Sequence, residues 1–582
     1  MSKKIKIEST IKKKRQSIFG VLKPYKKMVY FLILFALISN SINLIIPKLI
    51  SHAIDNFSKG VFNYQSVVIE FMVAAIVIFI FTYLQTIIQT YASEKVARDL
   101  RSKLSDKISR QSYAFIQETN PSKLLTNLTS DIDSIKLFVS MAVVSMVSSV
   151  FIIIGASILL ISINYKLALP VLMIIPLIGG GFFVVLSKVR VIFKKSREVI
   201  DWLNKVINES ILGAALVRVL NSQTIEYNKF LDANTKAKDL GLSILKLFAT
   251  LIPMVVFVSN IASLIILALG GHFVISGAMS LGDFAAFSSY LVILIFPIII
   301  IGFMSNIMAQ ASASYERICM VLNAEETIDT GTITTDLEGD IDLKDVTVLY
   351  GDKPALKAVS MSIKRGTQVA VIGPTAAGKS QLLYLLTGLI KANSGVISFD
   401  GNNIDEYNKE LFQHQIGFVF QDSVIFNMSL RENIAFNDSV TDESLKKAID
   451  TAELRDFIDS LPLGLNTIIS ERGNSLSGGQ KQRIMLARAL AIDPKILLLD
   501  DFTARVDART EQKIVENIKQ NYPNITLLSV TQKIASVQHY QQIIVLMEGE
   551  VIASGTHNEL MESSTDYVQI FNSQRSTSHY EL

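Results

Sequence analysis

The chain is 582 residues long, 50% hydrophobic and only 19% charged, with a formal net charge of +4. This excludes a disordered chain, which needs low hydrophobicity and high net charge, and a disulfide scaffold, because Cys319 is the only cysteine. So small a charge gives no case for nucleic acid as a partner, and a membrane protein, or a membrane part fused to a soluble one, remains.

The first 27 residues are a basic, cytoplasmic N-terminus with ten Lys and Arg, four of them in the run Lys12-Lys13-Lys14-Arg15. The run is a topology signal or a contact for anionic lipid headgroups. Six apolar stretches follow, at about 28–50, 66–92, 137–163, 167–187, 247–270 and 284–308, each near the ~20 residues that cross a bilayer. The first is too long for a secretory signal and has no small-residue cleavage site. Interval 51–65 holds only Lys59, the interval after the third stretch only Lys166, and 271–283 no Lys or Arg, whereas 93–136 and 188–246 are rich in them. Positive charge stays on the cytoplasmic side, so both termini are expected there, in a multi-pass protein of the cell membrane. The two long cytoplasmic intervals read as helical, with Leu100, Leu104 and Ile108, and Leu203, Val206 and Ile207, at helical spacing. They predict membrane helices that continue into the cytoplasm as polar-faced rods, joined in pairs by turns.

Polar residues inside the stretches are few. Asn40, Asn43, Gln85, Gln89 and Asn306 either line a pathway or hydrogen-bond between helices. Glu70 sits near an outer end, and no other ionisable residue reads as clearly mid-membrane. That pattern favours amphiphilic or apolar cargo.

Beyond Asp340 short β-rich runs alternate with helical ones. Gln368-Val369-Ala370-Val371-Ile372 and Ile496-Leu497-Leu498-Leu499 are continuous apolar runs, as expected of buried parallel strands. The first leads into Gly373-Pro374-Thr375-Ala376-Ala377-Gly378-Lys379-Ser380, which fits the phosphate loop G-x-x-x-x-G-K-[ST]. Its backbone amides would curl around phosphates at a helix N-terminus. Lys379 would reach the β- and γ-phosphates, and the Ser380 hydroxyl would ligate Mg²⁺. Gln381 follows in the same site. The second strand ends in Asp500-Asp501, and a carboxylate there is the expected Mg²⁺ partner, a role given to Asp500.

Between them lies Leu476-Ser477-Gly478-Gly479-Gln480. Here the sequence resembles the ATP-binding cassette (ABC) family, whose signature this pentapeptide is. The resemblance covers nearly the whole chain and is to a half-size exporter: 28–315 as a six-helix membrane domain with two cytoplasmic coupling loops, 316–337 as a linker, and 338–582 as an α/β nucleotide-binding domain. It implies ATP and Mg²⁺ as cofactors, and ATP sandwiched between two cassettes with each signature completing the partner's site. It also implies adenine stacking at Tyr350, contact of Gln421 with Mg²⁺ and the attacking water, and an interface-crossing Asp507. Ser470-Glu471-Arg472-Gly473 is similar to an exporter stretch that contacts the membrane domain. Ser314-Tyr315-Glu316-Arg317-Ile318, and the stretch from Asn208-Glu209-Ser210 to Val217-Arg218, resemble family motifs of the membrane half.

Two catalytic positions depart from the family. Its glutamate after the Mg²⁺ aspartate is here Asp501, and its histidine after the next strand is here Gln532. A side chain one methylene shorter draws the base back from its water, and Gln cannot relay a proton. Together they imply a degenerate site that binds ATP and hydrolyses it slowly, beside an unaltered signature. Arg505-Val506 replaces a small-residue pair, which would loosen coupling across the interface. The expectation is one subunit of a heterodimeric bacterial multidrug exporter, whose second half-transporter keeps the Glu and His and which moves a small amphiphilic substrate across the lipid bilayer. The alternatives are a homodimeric exporter with slow ATPase and an ATP-gated regulatory or channel-like protein.

Overall fold

The computed structural model describes residues 17–326, 331–350, 353–470, 473 and 475–578. The basic run at 12–15, and Glu471 and Arg472, lie outside them. The chain forms two compact units, Met1–Ser109 with Thr119–Ala324, and Arg110–Glu118 with Glu325–Leu582.

The first unit is built from six long helices: α1 (Lys26–Ser58), preceded by the short helix Ile18–Tyr25, then α2 (Tyr64–Ser109), α3 (Pro121–Ile163), α4 (Tyr165–Leu212), α5 (Gln223–Ile275) and α6 (Leu281–Leu322). Each of the six expected apolar stretches falls inside one of them. At about 1.5 Å per residue, the 46 residues of α2 reach far beyond a hydrocarbon layer of about 30 Å. Pro47, Pro253 and Pro297 sit within α1, α5 and α6. Neighbouring membrane helices and local adjustments satisfy the carbonyls that such prolines free. The core of this unit gathers Phe287, Tyr290 and Leu294 of α6 with Leu160, Leu167 and Ile178. The Tyr290 hydroxyl, buried there, donates to the backbone carbonyl of Leu44 at 2.8 Å.

The second unit carries two sheets. Strands β1 (Ile341–Tyr350), β2 (Lys353–Ile363), β4 (Ser394–Phe399) and β5 (Asn402–Asn403) form an antiparallel sheet in the order β2-β1-β4-β5. Strands β3 (Gln368–Ile372), β6 (Ile416–Val419), β7 (Ile496–Asp500), β8 (Thr526–Thr531), β9 (Gln542–Met547) and β10 (Glu550–Gly555) form the other, in the order β10-β9-β3-β8-β7-β6. All neighbours in it are parallel except β9 and β10. Every residue of β7 and β8 is buried, because both faces are covered; β7 accordingly runs apolar from Ile496 to Leu499, while β8 also buries the small polar residues Thr526, Ser529 and Thr531. One face packs around Ile484, Leu486 and Leu490, the other around Leu382, Leu385 and Leu386. In such a sheet the ligand crevice opens beyond the carboxyl ends of the central strands, and β3, β7 and β8 end there together.

Candidate nucleotide site

The helix α7 (Lys379–Leu386) follows β3 across the phosphate loop. Gly378 has φ +99°, and a Cβ on it would come within 2.5 Å of the Ala355 carbonyl oxygen. A side chain would therefore break the turn that aims the loop amides inward. Ala376 also holds a positive φ, 66°, a conformation an L residue tolerates only under constraint. The Lys379 Nζ donates to the carbonyls of Gly373 and Pro374, both at 2.8 Å. Burial lowers the pKa of this ammonium, and Asp501 and Asp500 counter the shift.

Asp500, at the end of β7, is 2% exposed. Its carboxyl is pushed above the usual carboxylate range by burial, with a hydrogen bond from Ser380 acting the other way. Its Oδ2 is buried and has no partner among the described residues. A buried orphan carboxylate oxygen beside a hydroxyl suits a hard cation such as Mg²⁺, which takes oxygen ligands. Asp501 has φ +48°, and its N–H donates to the Val530 carbonyl at 2.8 Å. Left-handed backbone suits Asp better than Glu.

A cleft of about 960 Å³ brings together Tyr350, Thr375 to Gln381, Gln421, Asp500, Asp501 and Gln532. Gly373 and Pro374 stand just behind it, as the acceptors for Lys379. Tyr350 is half exposed, and Gln532 follows the last residue of β8.

The signature is elsewhere in the unit. Ser477 caps helix α8 (Gly478–Ala491) with a capping box: its Oγ accepts from the Gln480 N–H at 3.2 Å, and its own N–H donates to Gln480 Oε1 at 2.8 Å. Leu476 packs against the core. The Arg505 stem lies over Gly478, where an added Cβ would stand 3.0 Å from Arg505 Cδ. The replaced small-residue pair is thus a packing contact onto the signature.

Comparison with known proteins gives the affiliation. The ABC transporter transmembrane region matches residues 29–298, and the ABC transporter domain matches 356–504. The ABC transporter ATP-binding protein YfiB of Bacillus subtilis (strain 168), uncharacterized, is 31% identical over 568 residues, 96% of this chain and 98% of the relative. The chain belongs to the ABC transporter family. This ABC protein is a half-size exporter: one six-helix membrane domain fused to one ATP-binding domain. The ATP-dependent lipid A-core flippase of Syntrophus aciditrophicus (strain SB) is 27% identical over 493 residues, covering 84% of this chain and 82% of the flippase. The probable multidrug resistance transporter YheI of Bacillus subtilis (strain 168) is 27% identical over 550 residues, 92% of this chain and 93% of that one. A bacterial Atm1-family ABC exporter solved with ATP bound shares the fold, with a TM-score of 0.75, 22% identity, and coverage of 95% of this chain and 99% of that one.

Several residues of the ABC chain escaped the sequence reading. Tyr384, one turn past the phosphate loop, meets Tyr113 at 5.5 Å, Phe418 at 5.9 Å and Phe420 at 6.2 Å between ring centroids. Tyr113 belongs to the segment that is compact with the cassette rather than with the long helices. An aromatic cluster thus joins that segment, α7 and the strand leading to Gln421. Nothing in the local sequence marks these rings as partners, because they come from three separate elements. In the first unit, Gln89 donates to the Ser140 carbonyl, so it serves as an inter-helix bond. Asn306 is exposed. The exposed residues of the turn helix Ala214–Val219 include Leu216 and Val219. Lys48, which the apolar pattern alone does not single out, stands two residues inside the end of the first stretch and ten residues inside the end of α1, because the helix overruns that stretch.

Proposed function

We propose that this ABC half-exporter pairs with a dissimilar second half-transporter and uses ATP to move amphiphilic or apolar compounds out across the cell membrane. The names carried by the lipid flippase and the multidrug relative support that substrate range. In this reading residues 28–315 form the transport path, 316–337 link it to the cassette at 338–582, and both termini are cytoplasmic. Lys379, the loop amides and Tyr350 hold ATP. Ser380, Gln421 and Asp500 would hold Mg²⁺, which supplies charge neutralisation at the phosphates. Leu476 to Gln480 complete the partner's nucleotide site, which carries the Glu and His.

One observation carries the reading. The two substituted positions, Asp501 and Gln532, face the same cleft as an unaltered Lys379, Ser380 and Asp500. Binding groups are retained where the groups that would activate and relay water are changed. A misplaced general base typically costs about 10²–10⁴ in rate. The chain purified alone should therefore bind ATP and turn it over at least about 100-fold more slowly than the complex with its partner. In the complex, Asp501→Asn should leave hydrolysis nearly unchanged and Ser477→Arg should abolish it. Asp501→Glu with Gln532→His should raise it, in part only, because Glu fits a φ of +48° poorly. Rapid turnover by the chain alone, or silencing of the complex by Asp501→Asn, would overturn the assignment.

A further inference from the structure

Helix α1 packs against α2, α3 and α6, with Leu32 and Ala36 beside Val144 of α3. Phe35 and Ser39 meet Phe81 and Thr82 of α2, at 5.6 Å between rings and 3.0 Å between hydroxyls. Leu44, Ser51 and Asp55 meet α6, through the Tyr290 hydroxyl, Asp283 and the Gly282 N–H. Ile45, Lys48 and His52, spaced three and four residues apart, belong to none of these faces and share one exposed stripe. Within the six apolar stretches, Lys48 is the only Lys or Arg and Glu70 the only Asp or Glu. The two are on adjacent helices, yet neither side chain makes an ion pair or hydrogen bond with a described residue. His52 makes none either. The remaining carboxylates at this end, Asp55 and Asp283, are engaged one to two turns further out, with Ser280, Gly282 and Ser51.

A lysine in the outer half of a membrane helix runs against both the hydrophobic cost of its charge and the tendency of Lys and Arg to gather on the cytoplasmic side. Here the acid that could neutralise it does not. We infer that Lys48, with His52 one turn above it as a second donor, is a headgroup site for an anionic amphiphile whose chain lies along the apolar part of the stripe, as on Ile45. This deepens the exporter reading above and rests on it: cargo with a phosphate or carboxylate head is selected over cargo with a cationic one. The Lys48 ammonium would donate to a headgroup oxygen, a charge-assisted contact at low dielectric.

The test uses the full complex in nanodiscs of zwitterionic lipid, with ATPase stimulation by single-chain probes of equal length: dodecyl phosphate, dodecylphosphocholine and dodecyltrimethylammonium. Dodecyl phosphate should stimulate at the lowest concentration. Lys48→Met should raise its half-maximal concentration about tenfold or more, the loss expected for one charge-assisted hydrogen bond, while Lys48→Arg stays within about threefold of the parent. A Lys48 that only snorkels to the interface would leave the Lys48→Met response unchanged, and that result overturns the inference, as does equal stimulation by the cationic probe. If Lys48 instead pairs with a carboxylate of the second subunit, Lys48→Met would lower recovery of the complex on a native gel and depress all three responses alike, which also overturns it. A complex that hydrolyses ATP but answers to no probe of any charge would count against amphiphile export itself, a failure distinct from a loss of charge preference.

Discussion

The carboxylate of Asp55 on α1 accepts the backbone N–H of Gly282 at 2.8 Å, and its other oxygen accepts the Ser280 hydroxyl at 2.7 Å. A carboxylate thereby caps the positive end of a 42-residue helix. The joint closes only because residue 282 is glycine: a Cβ there would stand 2.1 Å from the Ser51 carbonyl oxygen. Gly282→Ala must push α1 and α6 apart, and should destabilise the membrane unit by about 1–3 kcal/mol, the usual cost of overpacking. Asp55→Ala removes the cap without adding volume and should cost about 1–2 kcal/mol. Thermal unfolding of the detergent-solubilised protein, followed by tryptophan fluorescence, would rank the two. A wild-type melting temperature for Gly282→Ala would show that the joint is loose.

The two signature glycines differ in what they face. A Cβ on Gly478 would meet the flexible Arg505 side chain at 3.0 Å, whereas one on Gly479 would meet the Arg505 backbone oxygen at 2.9 Å. A side chain can swing aside and a backbone carbonyl cannot. Gly479→Ala should therefore reduce ATPase of the complex more than Gly478→Ala does, by about tenfold at least, the scale of a small misplacement of a phosphate-binding group. Arg505→Ala should rescue part of the Gly478→Ala loss and none of the Gly479→Ala loss. Equal losses in steady-state ATPase assays would mean that Arg505 does not shape the signature.

The apolar stretches, the strand–loop–helix turn at Gly373–Ser380 and the carboxylate ending β7 were readable in the sequence because each depends on local order: about twenty apolar residues, a glycine pattern after a strand, an Asp after Leu499. What was not readable lies in contacts between distant segments. Tyr113 and Tyr384 are 271 positions apart, and no periodicity links them. Nor does the sequence tell that Asp501 occupies a left-handed backbone conformation, since Asp is common in ordinary backbone too. Lys48 was missed for the opposite reason. It stands two residues from the end of the 28–50 stretch, where a charge reads as interfacial, whereas the helix continues to Ser58.

Asp500 contributes to stability with a sign set by its raised pKa. Burial makes the neutral carboxyl the favoured form in the folded chain, so its stabilising contribution is complete below the unfolded value of about 3.9 and disappears as pH rises through the higher folded value. Above that value, without a cation, the ionised carboxylate weakens the fold. Asp500→Asn should therefore raise the melting temperature of the metal-free protein at neutral pH, and the gain should vanish under acidic conditions. It should also abolish the additional stabilisation that Mg²⁺ gives in the presence of ATP, since Oδ2 is the unpartnered oxygen. Differential scanning calorimetry at two pH values, with and without Mg²⁺-ATP, reads both effects. A lower melting temperature for Asp500→Asn at neutral pH would mean that Ser380 and Lys379 already satisfy the charge.

Asp131 and Arg317 form an ion pair between α3 and α6, with Arg317 Nε donating to Asp131 Oδ2 at 2.9 Å and the Ser314 hydroxyl to Oδ1 at 2.9 Å. The partners are buried unequally: the Asp131 side chain is 4% exposed and that of Arg317 48%. Removing one member of a buried pair strands the other, and the cost depends on which one is left dry. Arg317→Met leaves a buried carboxylate with only Ser314 as a donor and should destabilise the membrane unit by about 3–5 kcal/mol. Asp131→Asn leaves a half-exposed guanidinium that water can solvate, and should cost about 1–2 kcal/mol. The double variant Asp131→Asn with Arg317→Met should be more stable than Arg317→Met alone, because the stranded charge is gone. A thermal denaturation series on the four proteins gives the coupling directly, and the reverse order for the two single variants would show that Arg317, rather than Asp131, is the side chain that depends on the pair.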